Sequence, residues 1–396
     1  MKTFKFLTLV LISFIIMNIN FSSNALAETK PPEVEGAGVI LMEATTGEIL
    51  FNKDMDKPLP PASTTKILTA LITLEKTSLN EKVLIGKTPP NADGTSLGLV
   101  EGEYVTVESL LNALLIGSCN DAAVALAEHI SGSVEEFSKL MNTRAKELGA
   151  TNSNFVNPNG LYDKNHYTSA HDLALIMREA IKHPEFLEIS QKPFYVFKGT
   201  NKYDKDRWVN NRVSLLFEKS PLYYKEYIAG KTGYTVDAKH SFVSAAKKGD
   251  LTLISAIVHT DDKNEYFKDS IDLFNYGFDN FTLTKLINKG DTLGNENIAN
   301  TSIPLISKND FYYVKNKNLN EPPKIDINSK DLKNIKFVKN DEISEATISL
   351  NNKVLGKVPL ISGEDKPKTI MSISNNKHSN RFYIILGSIF LLILLT

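Results

Sequence analysis

Apolar residues recur at helical spacing in several stretches of the first 280 residues. The leucines at positions 110, 111, 114 and 115 share one face of such a helix. Ser133, followed three residues later by Glu136, forms a capping-box sequence, and Gly149 is placed to end the helix that follows. We therefore predict helices over residues 67–72, 106–115, 122–130, 133–149 and 169–181.

Short runs typical of β-strands lie on either side of these helices. Residues 38–42 and 48–51 are separated by Thr-Thr-Gly, which predicts a β-hairpin that supplies edge strands of a sheet. Residues 241–246 and 251–258 flank a Lys-Lys-Gly-Asp turn and predict a second pair of strands.

The pattern changes near residue 280, after which no long helical repeat is found. Short apolar segments at 311–314, 335–338 and 346–350 are divided by turns rich in Asn, Lys, Gly and Asp. This pattern predicts a small all-β domain over residues 281–363, without a cluster of residues suited to chemistry.

The N-terminus has the three parts of a secretory signal peptide. Lys2 and Lys5 precede an apolar stretch over residues 6–16, and Ala25-Leu26-Ala27 forms an A-x-A cleavage site. Cleavage after residues 1–27 would release a mature chain that begins at Glu28 and is exported. Outside the cytoplasm, nucleotide cofactors are scarce, which favours hydrolysis or binding and predicts that no cofactor is used.

The C-terminal residues are apolar and follow a stretch that contains basic residues. Residues 364–381 form a polar linker with several lysines and one arginine, and residues 382–396 are uncharged. We expect the last segment to anchor the protein in the membrane, either by spanning it or by inserting partway. The predicted location is the extracytoplasmic face of the cell membrane.

The charge balance and the cysteine count exclude several functional classes. The 396 residues include 45 basic and 46 acidic side chains, a net charge of −1, so no electrostatic basis for nucleic-acid binding exists. Cys119 is the single cysteine, which excludes an internal disulfide and Cys-x-x-Cys motifs. The seven histidines are scattered, and we predict no metal site.

Ser63 and Lys66 are a candidate nucleophile and base. They stand three residues apart at the start of the helix that follows Pro60-Pro61, so their side chains share one face. A lysine with a lowered pKa takes a proton from such a serine. The same spacing occurs at Ser244 and at Ser374, and the alternative interpretation is a helix cap with a solvated lysine.

Two further motifs carry side chains suited to catalysis. Ser118 and Asn120 lie between two apolar helices, where a hydroxyl and an amide would project into a cleft. Lys231-Thr232-Gly233 occurs once, and its flanking glycines would let an incoming peptide backbone approach closely. The alternative for the second motif is a turn with a solvated lysine.

In this order the motifs resemble the signature S-x-x-K, S-x-N, K-T-G of penicillin-binding proteins and serine β-lactamases. The sequence around them is more similar to the low-molecular-mass D-alanyl-D-alanine carboxypeptidases, peptidase family S11, over residues 39–280. The resemblance implies an α+β catalytic domain over residues 28–280, with an antiparallel sheet and helices. A small β domain and a C-terminal anchor also occur in that family.

The resemblance implies a role for each candidate residue. Ser63 would attack the D-Ala-D-Ala terminus of a peptidoglycan stem peptide, and Lys66 would be the general base. Ser118 would relay a proton to the leaving amine, and Asn120 would orient Lys66 or the substrate. The substrate would be bound at Lys231, Thr232, Gly233 and Tyr234, and the backbone N–H groups of Ser63 and Tyr234 would form the oxyanion hole.

One departure concerns the substrate carboxylate. No arginine follows Lys231 until Arg381, so the expected partners are Lys231, Thr232, Thr235 and Lys239. In addition, Lys239-His240-Ser241 stands where smaller apolar residues are expected, which leaves the substrate preference there open.

Three other functions remain as alternatives. A class A β-lactamase needs a glutamate to activate the deacylating water, and none occurs in residues 150–178, so we expect β-lactam antibiotics to acylate Ser63 and stay bound. A D,D-endopeptidase acting on cross-links has the same chemistry. A non-catalytic wall-binding protein would not need the intact catalytic set.

Overall fold

The computed structural model describes residues 30–262, 264–298, 301–319, 321–328, 332 and 335–367. They fall into two compact units. One contains the residues up to Thr284 together with Tyr312–Asn320, and the other contains Lys285–Phe311 and the residues from Glu321 onwards.

The helices lie in the first unit. They are α1 Lys66–Lys76, α2 Val107–Asn112, α3 Asn120–Ser131, α4 Val134–Glu147, α5 Ala170–Ala180, α6 Pro184–Ser190 and α7 Glu265–Asn280. Short 3₁₀ turns cover Ala62–Thr65, Pro89–Asn91 and Ser214–Leu216, and a π turn covers Ala113–Gly117.

The strands extend through both units. Those up to residue 260 are β1 Gly38–Glu43, β2 Ile49–Lys53, β3 Lys82–Leu84, β4 Tyr104–Thr106, β5 Phe194–Phe197, β6 Arg207–Asn210, β7 Tyr227–Thr235, β8 Lys239–Lys248 and β9 Leu251–Thr260. The later strands are β10 Phe281–Ile287, β11 Thr292–Ile298, β12 Thr301–Ser307, β13 Phe311–Asn316, β14 Lys324–Asn328, β15 Glu342–Leu350 and β16 Lys353–Ser362.

A five-stranded antiparallel sheet, in the order β2-β1-β9-β8-β7, organises the first unit. Alternate residues of β1 enter different cores because successive side chains of a strand point to opposite faces. Ile40 and Met42 pack in the core shared with α1, α3 and α5, whereas Val39 and Leu41 pack in the core shared with α7. The sheet is therefore covered on both faces.

The predicted hairpin forms, but only one of its two strands lies at the edge of the sheet. β2 is an edge strand, whereas β1 lies between β2 and β9 and buries all six of its residues. The continuous apolar run of β1 suits a strand covered on both faces, while β2 ends in exposed polar residues. The predicted pair β8 and β9 is confirmed, in the interior of the sheet.

The predicted helices are confirmed, with shifted ends. Ser133 caps α4 by accepting a hydrogen bond from the Glu136 amide at 3.2 Å, and Gly149 follows the helix with a φ of +85°. Two helices, α6 and α7, are absent from the predicted set. Pro184 does not prevent α6, because it occupies the first helical position, where its lack of an N–H group is harmless.

The second unit contains another five-stranded antiparallel sheet, in the order β11-β12-β16-β15-β14. Among the described residues after Asn280 there are strands and no helix, as the sequence pattern predicts. The apolar segment 335–338 is not a strand, because it has no regular secondary structure. Phe337 packs in the core of this unit, whereas Ile335 and Val338 are 45% and 58% exposed.

The predicted signal peptide and the predicted membrane anchor, residues 1–27 and 382–396, lie outside the described residues. Within the described part of the chain, no helix combines the length and the apolar character needed to cross a bilayer.

Candidate active site

Ser63 lies in the 3₁₀ turn Ala62–Thr65, directly before α1. Ala62 has a φ of +49°, an unusual value for a residue with a side chain, and it gives the chain a sharp bend just before the serine. The Thr64 side chain closes the turn by donating to the Pro61 carbonyl oxygen at 2.8 Å. The bend leaves Ser63 only partly buried, at the start of a helix whose body enters the core.

Lys66 is fully buried, so the alternative of a solvated helix residue is wrong. Its Nζ lies 2.9 Å from Ser63 Oγ, 2.7 Å from Asn120 Oδ1 and 2.5 Å from the Asn159 carbonyl oxygen. Burial, followed by the charges of Lys231 and Arg212, holds the pKa of Lys66 well below its usual range. The neutral amine is therefore favoured.

A neutral amine at this place has its lone pair directed at Ser63. It carries two hydrogens, and the oxygens of Asn120 and Asn159 can only accept hydrogen bonds, so they take both. The remaining contact, with Ser63 Oγ, is then one in which the hydroxyl donates and Lys66 accepts. The arrangement suits proton transfer from Ser63 to Lys66.

Ser118 and Asn120 project from the junction of the π turn and α3. Ser118 adopts a left-handed conformation with a φ of +61°, which ends the π turn and redirects the chain into α3. Gly117 allows β6 to pack closely, since a Cβ there would lie 2.7 Å from Val209 Cγ1. Between the two polar residues, Cys119 is buried, and burial raises the pKa of its thiol to about 12, so it is not a nucleophile.

Lys231 lies on β7, the edge strand opposite β2 in the five-stranded sheet, and is 2% exposed. Its Nζ donates to Ser118 Oγ at 3.0 Å and to the Thr232 carbonyl oxygen at 2.8 Å. The alternative of a solvated lysine in a turn is therefore wrong. Burial, assisted by the charge of Arg212, lowers the pKa of Lys231 to about 7.

Gly233 brings β7 against the turn that carries the serine. A Cβ at this position would lie 3.0 Å from the Ser63 nitrogen and 2.9 Å from the Pro61 carbonyl oxygen, so a side chain would push the strand away. Thr232 is half-buried, and the side chain of Tyr234 is 56% exposed. The structure thus brings the three motifs together around Ser63.

Thr235 and Lys239, the other expected partners of the substrate carboxylate, are engaged elsewhere. Thr235 Oγ1 accepts a hydrogen bond from the Ala238 amide at 3.0 Å, and Lys239 Nζ lies 3.5 Å from Asp261. The sequence motifs do not indicate Arg212, which acts electrostatically on both Lys66 and Lys231. It precedes Lys231 in the chain, whereas the arginine expected near the substrate carboxylate would follow Lys231.

The turn Asn157-Pro158-Asn159-Gly160 supplies a contact that the sequence did not reveal. Asn157 Oδ1 accepts from the Gly160 amide at 2.7 Å, and Thr69 donates to the Pro158 carbonyl oxygen at 2.6 Å. Gly160 has a φ of +83°, and a Cβ there would lie 1.9 Å from the Ala62 carbonyl oxygen. Only glycine fits, and the tight approach places the Asn159 carbonyl beside Lys66.

The ring of His166 connects the turn that precedes Lys66 to the segment around Val156 by hydrogen bonds. Its Nδ1 accepts a hydrogen bond from the Val156 amide at 3.2 Å, so its Nε2 carries the hydrogen that faces Thr65 Oγ1 at 2.9 Å. Burial lowers the pKa of His166 to about 4, which keeps the ring neutral. This histidine therefore positions the chain next to Lys66 and does not take part in proton transfer.

Comparison with known proteins identifies the family of the chain. Residues 25–262 match the family model of the D-alanyl-D-alanine carboxypeptidases, Peptidase_S11, and residues 281–368 match the C-terminal domain of penicillin-binding protein 5. The chain is 30% identical to D-alanyl-D-alanine carboxypeptidase DacF of Bacillus subtilis (strain 168) over 373 residues, which cover 89% of this chain and 92% of the relative.

A further relative is also named a D-alanyl-D-alanine carboxypeptidase, and a solved structure has a similar fold. The chain is 29% identical to D-alanyl-D-alanine carboxypeptidase DacD of Escherichia coli (strain K12), covering 74% of this chain and 78% of the relative. It aligns with the crystal structure of penicillin-binding protein 5 from Haemophilus influenzae with a TM-score of 0.74 and 28% identity, covering 85% and 98% of the two chains. The fold is thus an α+β catalytic domain followed by a β domain, and the chain belongs to the peptidase S11 family of serine-type D-alanyl-D-alanine carboxypeptidases.

Proposed function

We propose that this carboxypeptidase removes the terminal D-alanine of peptidoglycan stem pentapeptides through an acyl-enzyme on Ser63. Ser63 Oγ attacks the carbonyl carbon between the last two D-alanines, and its proton passes to Lys66. The C–N bond then breaks, and the leaving amine receives a proton through Ser118. Water hydrolyses the ester, which releases the shortened peptide and regenerates Ser63.

The observation that carries this proposal is the set of contacts around Lys66. Two carbonyl-type oxygens take both hydrogens of its neutral amine, and the third contact, at 2.9 Å, is with Ser63 Oγ. A buried lysine with a depressed pKa that faces a serine is a base–nucleophile pair. A wall-binding protein without catalysis has no need of these contacts.

Lys231 is proposed to act on both the leaving group and the substrate carboxylate. Its hydrogen bond to Ser118 connects it to the proposed proton relay, and its charge, with that of Arg212, supplies a positive field. Thr232 adds a hydroxyl on the edge strand β7. We assign the oxyanion hole to the backbone N–H groups of Ser63 and Tyr234, a proposal supported by the close approach of Gly233 to the Ser63 nitrogen.

Peptide cross-links are the nearest alternative substrate, because a D,D-endopeptidase breaks the same kind of bond. The purified protein should be incubated with a stem pentapeptide and, separately, with a cross-linked peptide dimer, beside the Ser63→Ala variant. Release of free D-alanine from the pentapeptide by the wild type alone supports the proposal. Faster cleavage of the dimer would make endopeptidase activity the better assignment.

β-Lactam antibiotics are proposed to acylate Ser63 and to remain bound. The segment 150–178, which contains the turn beside Lys66, has no glutamate to activate a deacylating water. Hydrolysis of penicillin with rapid turnover would instead favour the β-lactamase alternative.

We also propose that the protein works at the extracytoplasmic face of the membrane. Residues 1–27 would be removed on export, residues 28–280 and 281–363 would form the catalytic and β domains, and residues 382–396 would anchor the chain beyond the linker 364–381. The sequence pattern of the two termini supports this assignment. Fractionation of cells that produce the full chain or a chain ending at residue 381 tests it, since only the full chain should sediment with membranes.

A further inference from the structure

We propose that Asp121 is a positioning residue for the reaction, which acts through the loop of residues 93–99 to fix the amide of Asn120 beside Lys66. This role presupposes the proposed function of Ser63 and Lys66. Asp121 directly follows Asn120 in the first turn of α3 and is fully buried.

The carboxylate of Asp121 binds the loop by several hydrogen bonds at once. The backbone amides of Leu97, Gly98 and Leu99 donate to its oxygens at 2.9–3.1 Å. The hydroxyl of Ser96 donates to Oδ2 at 2.6 Å. These hydrogen bonds hold residues 96–99 against the first turn of α3.

The other end of this loop contacts Asn120. Its side-chain nitrogen Nδ2 donates to the Asp93 carbonyl oxygen at 2.6 Å, and its backbone amide donates to the Thr95 carbonyl oxygen at 2.6 Å. Gly94 makes the approach possible, because a Cβ there would lie 2.8 Å from Asn120 Nδ2. The loop is therefore attached to α3 at two adjacent residues, Asn120 and Asp121.

This attachment decides which end of the Asn120 amide faces Lys66. With Nδ2 held by the Asp93 carbonyl, the oxygen Oδ1 is left to accept from Lys66 Nζ at 2.7 Å. If the Asn120 amide were flipped, its NH₂ group would face Lys66 Nζ. Its oxygen would then face the Asp93 carbonyl oxygen, and two acceptors cannot form a hydrogen bond with each other. The proton acceptor geometry of Lys66 thus depends on a loop that Asp121 holds.

The replacement Asp121→Asn tests the role with little change of volume. An amide has a single acceptor oxygen and directs an NH₂ group at backbone N–H donors, so it cannot hold the loop in this form. The charged and titratable groups that act on Lys66 are Lys231, Arg212, Asp121, Cys119 and His166.

Both effects of Asp121→Asn lower the pKa of Lys66. The negative charge of Asp121 is lost, and Asn120 Oδ1 no longer stabilises the ammonium form. We expect the plateau rate of acylation by penicillin to fall at least tenfold, and the acidic limb of its pH profile to move to lower pH. The rates are measured by intact mass on the full chain over pH 5–9.

Glu43→Gln is the matched control. Glu43 is also fully buried and accepts hydrogen bonds from the backbone amides of Thr45 and Thr46, but its turn lies between β1 and β2. The Glu43→Gln variant should be less stable than the wild type. Its plateau rate of acylation and the acidic limb of its pH profile should equal those of the wild type. A folded Asp121→Asn protein whose acidic limb does not move, whatever its plateau, overturns the proposal.

Gly94→Ala keeps the charge of Asp121. It disturbs the contact between the loop and Asn120, both by the added Cβ and by strain at a backbone φ of +88°. We expect a plateau at least tenfold lower, with a smaller displacement of the acidic limb than in Asp121→Asn. If Asp121→Asn does not fold, Gly94→Ala alone tests the proposal. A plateau acylation rate and an acidic limb equal to those of the wild type would then overturn it. A wild-type protein that penicillin does not acylate would instead contradict the proposed function itself.

Discussion

Replacing Lys231 by methionine should make the protein more stable at neutral pH and inactive. Lys231 is 2% exposed, and its pKa is about 7 in the folded chain against an ordinary value of 10.5. Between these two values the unfolded chain binds one proton more than the folded chain, so stability rises with pH across this window. Below about pH 7, Lys231 is charged in both states, and burial of this charge lowers the free energy of unfolding by its full amount.

The magnitude follows from the depression of the pKa. At about 1.4 kcal/mol for each pKa unit, a fall from 10.5 to about 7 corresponds to about 5 kcal/mol. The variant loses the hydrogen bonds to Ser118 and Thr232, which costs about 1–3 kcal/mol. Lys231→Met should therefore be more stable than the wild type by about 2–4 kcal/mol at pH 6, and slightly less stable near pH 10.

The assay is urea unfolding followed by circular dichroism at several values between pH 6 and pH 10, for the wild type and the variant. Lys164→Met is the control, because Lys164 is an exposed lysine outside the site and its replacement should not reproduce the stabilisation expected at pH 6. A difference in unfolding free energy between wild type and Lys231→Met that stays constant from pH 6 to pH 10 would refute the reasoning.

Three further replacements test the geometry around the site. Ala62→Gly relieves a left-handed backbone that costs about 1–2 kcal/mol, so the melting temperature should rise by a few degrees while acylation slows; an unchanged or lower melting temperature contradicts this. Gly160→Ala should lower the acylation rate by about 100-fold, since its Cβ would collide with the Ala62 carbonyl; wild-type kinetics would contradict the assigned role of the turn. Arg207→Met leaves the buried carboxylate of Glu103 without its cation and should cost about 3–5 kcal/mol by urea unfolding, part of which the added change Glu103→Gln restores.

The sequence predicts those parts of the site that depend on side chains at short spacing. Ser63 and Lys66 are one helical turn apart, and the apolar helices around Ser118 indicate that its turn is held from both sides. Strong hydrophobic periodicity likewise predicts α2, α4 and α5, because burial of one face decides whether a helix forms.

Other parts of the site have no signature in the sequence. The Asn159 contact to Lys66 is made by a backbone carbonyl, which every residue type has. Arg212 acts electrostatically on Lys66 and Lys231 from an exposed position before β7, and the π turn before Ser118 packs closely against β6. These features arise from tertiary structure, whereas the periodicity of apolar residues indicates only local secondary structure.

The most direct test of the central assignment is the intact mass of the protein after incubation with penicillin, beside Ser63→Ala. We predict that the wild type gains the mass of one penicillin molecule, that the adduct persists, and that Ser63→Ala gains none. An equal adduct on the Ser63→Ala variant, or unreacted drug with a folded wild type, would contradict the assignment of Ser63 as the nucleophile.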